Sequence, residues 1–128
     1  MLVNDVMIKN VVTVSSFATL REALSLMKQH KLKSLVVEKT SDHDAYGLIT
    51  YTNIMKTVVA ESGDIDLINV YDVCAKPIIS VGKSLSVKHV ASLMTAQRVK
   101  RVIVVDDNEL IGLVCMNDIV QTIMNTIE

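Results

Sequence analysis

The sequence predicts an α/β (α+β) fold made of two β-α-β-β-α repeats packed sheet to sheet with pseudo-twofold symmetry. Internal repetition is the first reason. Laying residues 4–37 over 71–104 matches Asp5-Val6 with Asp72-Val73, Lys9 with Lys76 and Val14 with Val81. It also matches Ser25-Leu26-Met27 with Ser92-Leu93-Met94, Lys33 with Lys100 and Val37 with Val104. A period of this size marks a supersecondary unit used twice. The second reason is that, within each copy, short aliphatic runs alternate with stretches of helical periodicity. The third is composition: 50% of the 128 residues are hydrophobic, yet there are only one Phe, three Tyr and no Trp. The core must therefore be aliphatic, which suits sheets covered by helices.

In chain order, Val11-Val12-Thr13-Val14 reads as a short strand. Thr19-Leu20-Arg21-Glu22 has the spacing of a capping box, and Leu20, Ala23, Leu24 and Met27 follow at i, i+3, i+4 and i+7 to make one apolar helix face. In the second copy Ser86 takes the capping place, and Val87, Val90, Ala91 and Met94 carry the face. Leu35-Val36-Val37 and Val102-Ile103-Val104-Val105 read as buried strands. The strands that begin at Gly47 and Gly112 end at Thr50 and Cys115, and closing helices are expected to start near Thr52 and Asn117. The first copy carries a longer polar loop, Thr40 to Asp44, where a connection tolerates extra length. The repeats are assigned to residues 1–62 and 63–128, joined through Glu61 to Asp66. Neither copy can bury both faces of a three-stranded sheet alone, so one cooperative module is expected.

Composition also excludes functions. With 13 basic against 14 acidic side chains there is no field strong enough to hold a polyanion, so DNA is not an expected partner. No apolar run reaches the roughly 20 residues needed to cross a bilayer, and the first residues lack the order of a secretion signal, so a cytoplasmic protein without membrane contact is expected. Cys74 and Cys115 have neither CxxC spacing nor a nearby His at ligand spacing, which reads as two free thiols. His30, His43 and His89 are isolated from one another, and Met27 and Met94 hold equivalent core positions, so neither residue type marks a metal or cofactor site. The chain has no GxSxG, Walker-type glycine loop or HExxH, and no catalytic residue is assigned.

What remains is the glycine-strand-helix junction, present twice. A polar side chain at a strand end, followed three residues later by Asn53 or Asp118 in the first helical turn, gathers acceptors and free backbone N–H groups. Such a place can hold a ribose diol and a phosphate, although the same residues also serve as ordinary caps.

These residues resemble the CBS domain, the regulatory repeat named after cystathionine β-synthase. The first copy shows Val12-Thr13-Val14, Leu20-Arg21-Glu22-Ala23-Leu24, Leu35-Val36-Val37 and Gly47-Leu48-Ile49-Thr50-Tyr51-Thr52-Asn53-Ile54. The second shows Ile79-Ser80-Val81, Val102-Ile103-Val104-Val105 and Gly112-Leu113-Val114-Cys115-Met116-Asn117-Asp118-Ile119. The resemblance covers nearly the whole chain. It implies a paired (Bateman) sensor module that binds AMP, ADP, ATP or a related adenosyl ligand in clefts between the repeats. It implies no catalytic cofactor, and a homodimer is expected.

The family pattern is Gly-h-x-Ser/Thr-x-x-Asp, where h is apolar, with the acid on ribose and the hydroxyl near phosphate. This sequence departs from it in opposite ways: Thr50 with Asn53 in the first copy, Cys115 with Asp118 in the second. A carboxylate accepts two charge-assisted hydrogen bonds where an amide accepts through one oxygen, so the Asp118 cleft ranks first. Arg101 and Lys100 match the family's phosphate-facing basic position, with Asn117 assisting. The resemblance sets Met7, Ile8, Val12, Leu32, Lys33 and Ser34 around the base of that cleft. Around the other it sets Thr50, Asn53 and Lys33, with Cys74, Ala75 and Ile79 at the base. The alternative is a ligand-free dimerisation module with degenerate clefts. Hydrolysis of a bound nucleotide has little support, because no base or activated nucleophile is placed for it.

Overall fold

The computed structural model of the chain describes residues 1–127. Two compact units emerge, one formed by Val12–Ile78 and the other by Met1–Val11 together with Ile79–Glu128.

In the Val12–Ile78 unit, β1 (Thr13–Val14) lies parallel to β2 (Ser34–Val37), and β2 lies antiparallel to β3 (Gly47–Thr50). The crossover from β1 to β2 is helix α1 (Leu20–His30). Thr19 caps it as the sequence requires, accepting from the Glu22 N–H at 3.2 Å. Its apolar face is Leu20, Ala23 and Met27, all buried. Helix α2 (Tyr51–Met55) follows β3 without a loop and widens into a π-helical turn at Lys56–Ala60. The segment after it lies along the start of α1, where the Leu20 and Arg21 N–H groups donate to the carbonyls of Ile68 and Ile65. A short 3-10 turn, Val70–Asp72, then buries Val70 in the core formed by Val14, Leu35, Val37, Ile49 and Ile54.

The other unit repeats this plan: β4 (Ser80–Gly82) runs parallel to β5 (Arg101–Asp106), which pairs antiparallel with β6 (Glu109–Cys115). Asp107 and Asn108, at φ 49° and 65°, form the tight hairpin turn, a conformation that Asp and Asn tolerate. Helix α3 (Val87–Gln97) is capped by Ser86, and α4 (Met116–Met124) closes the repeat. The core is Val81, Val90, Met94, Val102, Val104, Val114 and Ile119, and it includes Val3 from a one-turn helix at Val3–Val6.

The short leader before each repeat's first strand thus belongs to the core of the other repeat. Ile8 pairs with Leu113 and Ala75 with Leu48. The two glycines make this possible. A Cβ on Gly112 would fall 2.4 Å from Met7 Sδ, and one on Gly47 would fall 2.9 Å from the Ala75 carbonyl oxygen. Similarity along the sequence divides the chain at the linker, whereas packing exchanges the leaders.

Two expectations are corrected. The closing helices begin at Tyr51 and Met116, earlier than Thr52 and Asn117, so Thr50 and Cys115 themselves hold the cap positions. The reason is continuity: each strand's last residue remains extended, with ψ of 154° and 142°, and its successor is already helical.

Candidate functional site

The two strand-to-helix junctions have the same backbone and different side-chain chemistry. In each, the basic residue before the central strand is tied to the helix start by its carbonyl. Lys33 O accepts from Tyr51 N–H at 3.0 Å, and Lys100 O accepts from Met116 N–H at 2.8 Å. In each, the next residue lies opposite the cap position across the sheet, Ser34 against Thr50 and Arg101 against Cys115. The calls on Lys33, Ser34, Thr50 and Asn53 therefore meet at one junction, and those on Lys100, Arg101, Cys115, Asn117 and Asp118 at the other.

The first junction is closed on itself. Thr50 Oγ1 donates to Asn53 Oδ1 at 2.8 Å, Thr50 N–H donates to the same oxygen at 3.3 Å, and Asn53 N–H donates to Thr50 Oγ1 at 3.1 Å. This reciprocal box uses the oxygen of the amide that the ribose reading needs.

The second junction is open. Cys115 makes no side-chain cap bond, because a thiol is a weak donor and weak acceptor. Asp118 stands where Asn53 stands, and its Oδ2 is buried with no hydrogen-bond partner among the described residues. A buried carboxylate oxygen without a partner costs about 1–3 kcal/mol or more, so it marks a place where a donor is needed. Burial pushes the Cys115 thiol above its ordinary pKa, the charge of Asp118 pushes it further, and Arg101 pulls it back. The thiol thus senses both the carboxylate and the guanidinium.

Met7 and Ile8 lie along β6, Met7 over Gly112 and Ile8 paired with Leu113, and Ile79 accepts from Ile103 N–H at 3.0 Å. These three belong to the unit that holds Asp118. Val12, Lys33 and Ser34 belong to the Val12–Ile78 unit with Thr50, Asn53, Cys74 and Ala75. Sequence reasoning missed Asp5, Gln121 and Thr122, which line with Ile8 and Asp118 a groove of about 580 Å³. Thr122 Oγ1 donates to the Asp118 carbonyl at 2.9 Å and so fixes the turn that carries the carboxylate. Its signal was helical spacing: residue 122 is four places after 118 on the same face. Both cysteines are free thiols.

Comparison with known proteins agrees with this geometry. The CBS domain family matches residues 3–60 and 70–125. A Methanopyrus kandleri protein, MK0525, is 32% identical over 120 residues, spanning 93% of this chain and 61% of the relative. The CBS domain-containing protein YhcV of Bacillus subtilis is 31% identical, over 91% of this chain and 81% of YhcV. Among solved structures, a hexameric CBS-CP12 protein from bloom-forming cyanobacteria superposes with a TM-score of 0.86 at 36% identity, covering 94% of this chain and 66% of that one. The CBS domain pair of MJ0100, in complex with 5′-methylthioadenosine and S-adenosyl-L-methionine, gives 0.84 at 24% identity, over 98% of each chain. The chain therefore spans about three fifths of the Methanopyrus relative and about two thirds of the cyanobacterial protein. Two matched repeats, two three-stranded sheets flanked by helices and the glycine-strand-helix junction in each copy lead to one assignment: the chain belongs to the CBS domain family and carries a tandem pair of its repeats.

Proposed function

We propose that this module is a regulatory sensor that binds an adenine nucleotide or adenosyl ligand, of the AMP, ADP or ATP class, at the junction formed by Asp118. The unpartnered Oδ2 of Asp118 carries the reading. A ribose diol offers two hydroxyl donors to a carboxylate, which answers the need of that oxygen with charge-assisted bonds. Arg101 and Lys100, at the start of β5, supply positive charge for a phosphate or another anionic group. Asn117, in the first turn of α4, adds an amide beside the free N–H groups of that turn. Met7 and Ile8 are apolar residues of the same unit available to a base. An adenosyl ligand in the MJ0100 domain pair, whose fold this chain shares, supports the ligand class.

Two aspartates set the limit of the site. Asp5 and Asp118 both line one groove, whose two carboxylates disfavour a phosphate there, and the reading takes the phosphate to Arg101 and Lys100 instead. Calorimetry with AMP, ADP, ATP and 5′-methylthioadenosine tests the reading. Asp118→Ala is expected to weaken binding about 10- to 150-fold, the worth of one charged hydrogen-bonded contact. Asn53→Ala is expected to change it less than about threefold, because its oxygen is engaged in the box with Thr50. Equal losses in both variants would contradict the ranking of the junctions. The closed Thr50–Asn53 box favours a second reading for the first junction alone, that of a structural cap without ligand.

A further inference from the structure

The cations of the Val12–Ile78 unit are of two kinds. Arg21 pairs with Asp66, Nη2 to Oδ2 at 3.0 Å, and Lys76 pairs with Asp44, Nζ to Oδ2 at 2.6 Å. Lys28, Lys31 and Lys33 pair with no acid among the described residues. They stand together in the run Lys28-Gln29-His30-Lys31-Leu32-Lys33, which is exposed at every position. Along the chain the nearest acids are Glu22 and Glu38. The neighbouring backbone adds none: Tyr51 N–H donates to Lys33 O, and the stretch from Tyr51 to Ala60 carries Lys56 and no carboxylate.

The end of α1 sets out this run. Met27 O accepts from Leu32 N–H at 2.9 Å and Lys28 O from Lys31 N–H at 3.4 Å, so the chain turns at Lys31, left-handed at φ 56° and ψ 47°. Lys28 and His30 lie in the last helical turn, where positive charge complements the helix dipole. Lys31 and Lys33 lie past it, and Lys31 bears a Cβ strain that glycine would not. The other repeat keeps the same feature in Arg98, also at φ 56°, followed by Lys100 and Arg101. There the cations adjoin the open Asp118 junction. Here Ser34 stands where Arg101 stands, and the Thr50–Asn53 box closes the junction. Neither the fold nor the ligand reading uses the side chains of Lys31 and Lys33. Strain retained at an exposed charge points to a use outside the fold.

We propose that the run from Lys28 to Lys33 docks an acidic segment of a partner protein that carries an apolar residue among its acids. Lys28, Lys31 and Lys33 meet the carboxylates. Leu32, 39% exposed, and Tyr51, 44% exposed, offer the apolar contact. Opposite charge steers the encounter and fixes the register, while the apolar contact excludes water from it. A short protein segment fits better than a nucleic acid because the attraction is local. With 13 basic against 14 acidic side chains, the field fades within a Debye length of about 8 Å, and a long polyanion would meet the chain's own acids. This inference does not depend on the Asp118 reading.

The test is fluorescence anisotropy with a labelled peptide of about nine residues, glutamates around a central leucine, titrated with the full chain at about 0.15 M salt. Saturable binding is expected below about 1 mM. Lys31→Gly, which relieves the strain while removing one charge, should weaken it about 2- to 5-fold, and Lys28→Glu combined with Lys31→Glu about 10-fold or more. Arg98→Glu makes the same kind of charge change at the equivalent position of the other repeat and should alter binding less than about twofold. Replacing the central leucine by glutamate should weaken binding despite the added charge. Failure to saturate, or equal losses in Arg98→Glu and Lys31→Glu, would overturn the proposal. So would tighter binding of a single-stranded oligonucleotide or an anionic vesicle of equal charge, since the surface would then be a general polyanion site.

Discussion

Two side-chain pairs separate the junctions: Thr50 with Asn53 in one, and Cys115 with Asp118 in the other. The Thr50 hydroxyl engages Asn53 and is engaged by it, so Thr50→Ala should cost about 0.5–2 kcal/mol, the usual worth of an N-cap. Cys115→Ala should cost less in cap terms, because the thiol makes no cap bond; urea denaturation of both variants compares them directly. The coupling of Cys115 to its neighbours gives a second readout. Asp118 raises the thiol pKa and Arg101 lowers it, so Asp118→Asn should speed alkylation of Cys115 by iodoacetamide at pH 8, and Arg101→Gln should slow it. If both variants react at the parent rate, the three groups do not share a site. Asp44 adds a pH dependence. The Lys76 ammonium, then the Thr40 N–H and hydroxyl, hold its carboxyl well below the usual carboxylate range. A depressed folded pKa stabilises above the unfolded value of about 3.9 and is lost as pH falls through the folded one. Asp44→Asn should therefore be less stable at neutral pH and lose less stability below about pH 4 than the parent.

The elements follow the sequence closely where side chains decide them. Thr19 and Ser86 cap the two long helices, and Met27 and Met94 fill equivalent core positions, as the repeated periodicity requires. Helix ends were less legible. Lys31 and Arg98 close the long helices in the left-handed region, both at φ 56°, a place where glycine is usual and a long basic residue gives no signal. Lys31→Gly and Arg98→Gly should each raise stability by up to about 1 kcal/mol, since the Cβ strain disappears; thermal melts at matched pH check it. The starts of the short closing helices were misplaced for a similar reason. A capping residue that also ends a strand reads as strand. In the candidate site, Asp118, Arg101 and Cys115 were legible because they occupy a repeated pattern. Thr122 and Asp5 were not, because they act through a helix face and through a leader that the sequence repeat assigns elsewhere.

At the scale of the molecule, exchange of the leaders is what the repeat could not show. Periodicity records ancestry along the chain, while packing records which sheet a segment completes. Val3 and Val70, at equivalent positions, are both fully buried, each in the core of the other repeat. The unit that holds Asp118 is built from both ends of the chain and the other unit from its middle, so the backbone passes between them twice. A fragment of residues 63–128 lacks Val3 and the strand-like pairing of Ile8, and it should unfold at much lower urea concentration than the full chain. Removing a fully buried valine and its neighbours costs several kcal/mol, a large fraction of the stability of a domain this size.

The sensor account stands on the Asp118 carboxylate acting as the ribose acceptor. Calorimetric titration of the full chain and of Asp118→Ala with the same adenosyl ligand tests this most directly. The account expects saturable binding by the parent chain and an affinity at least about tenfold weaker in the variant, with a ligand-free melting temperature no lower in the variant than in the parent, since the buried unpartnered oxygen is gone. Equal affinity in the two proteins, or no binding by the parent chain to any adenine compound tried, would contradict it.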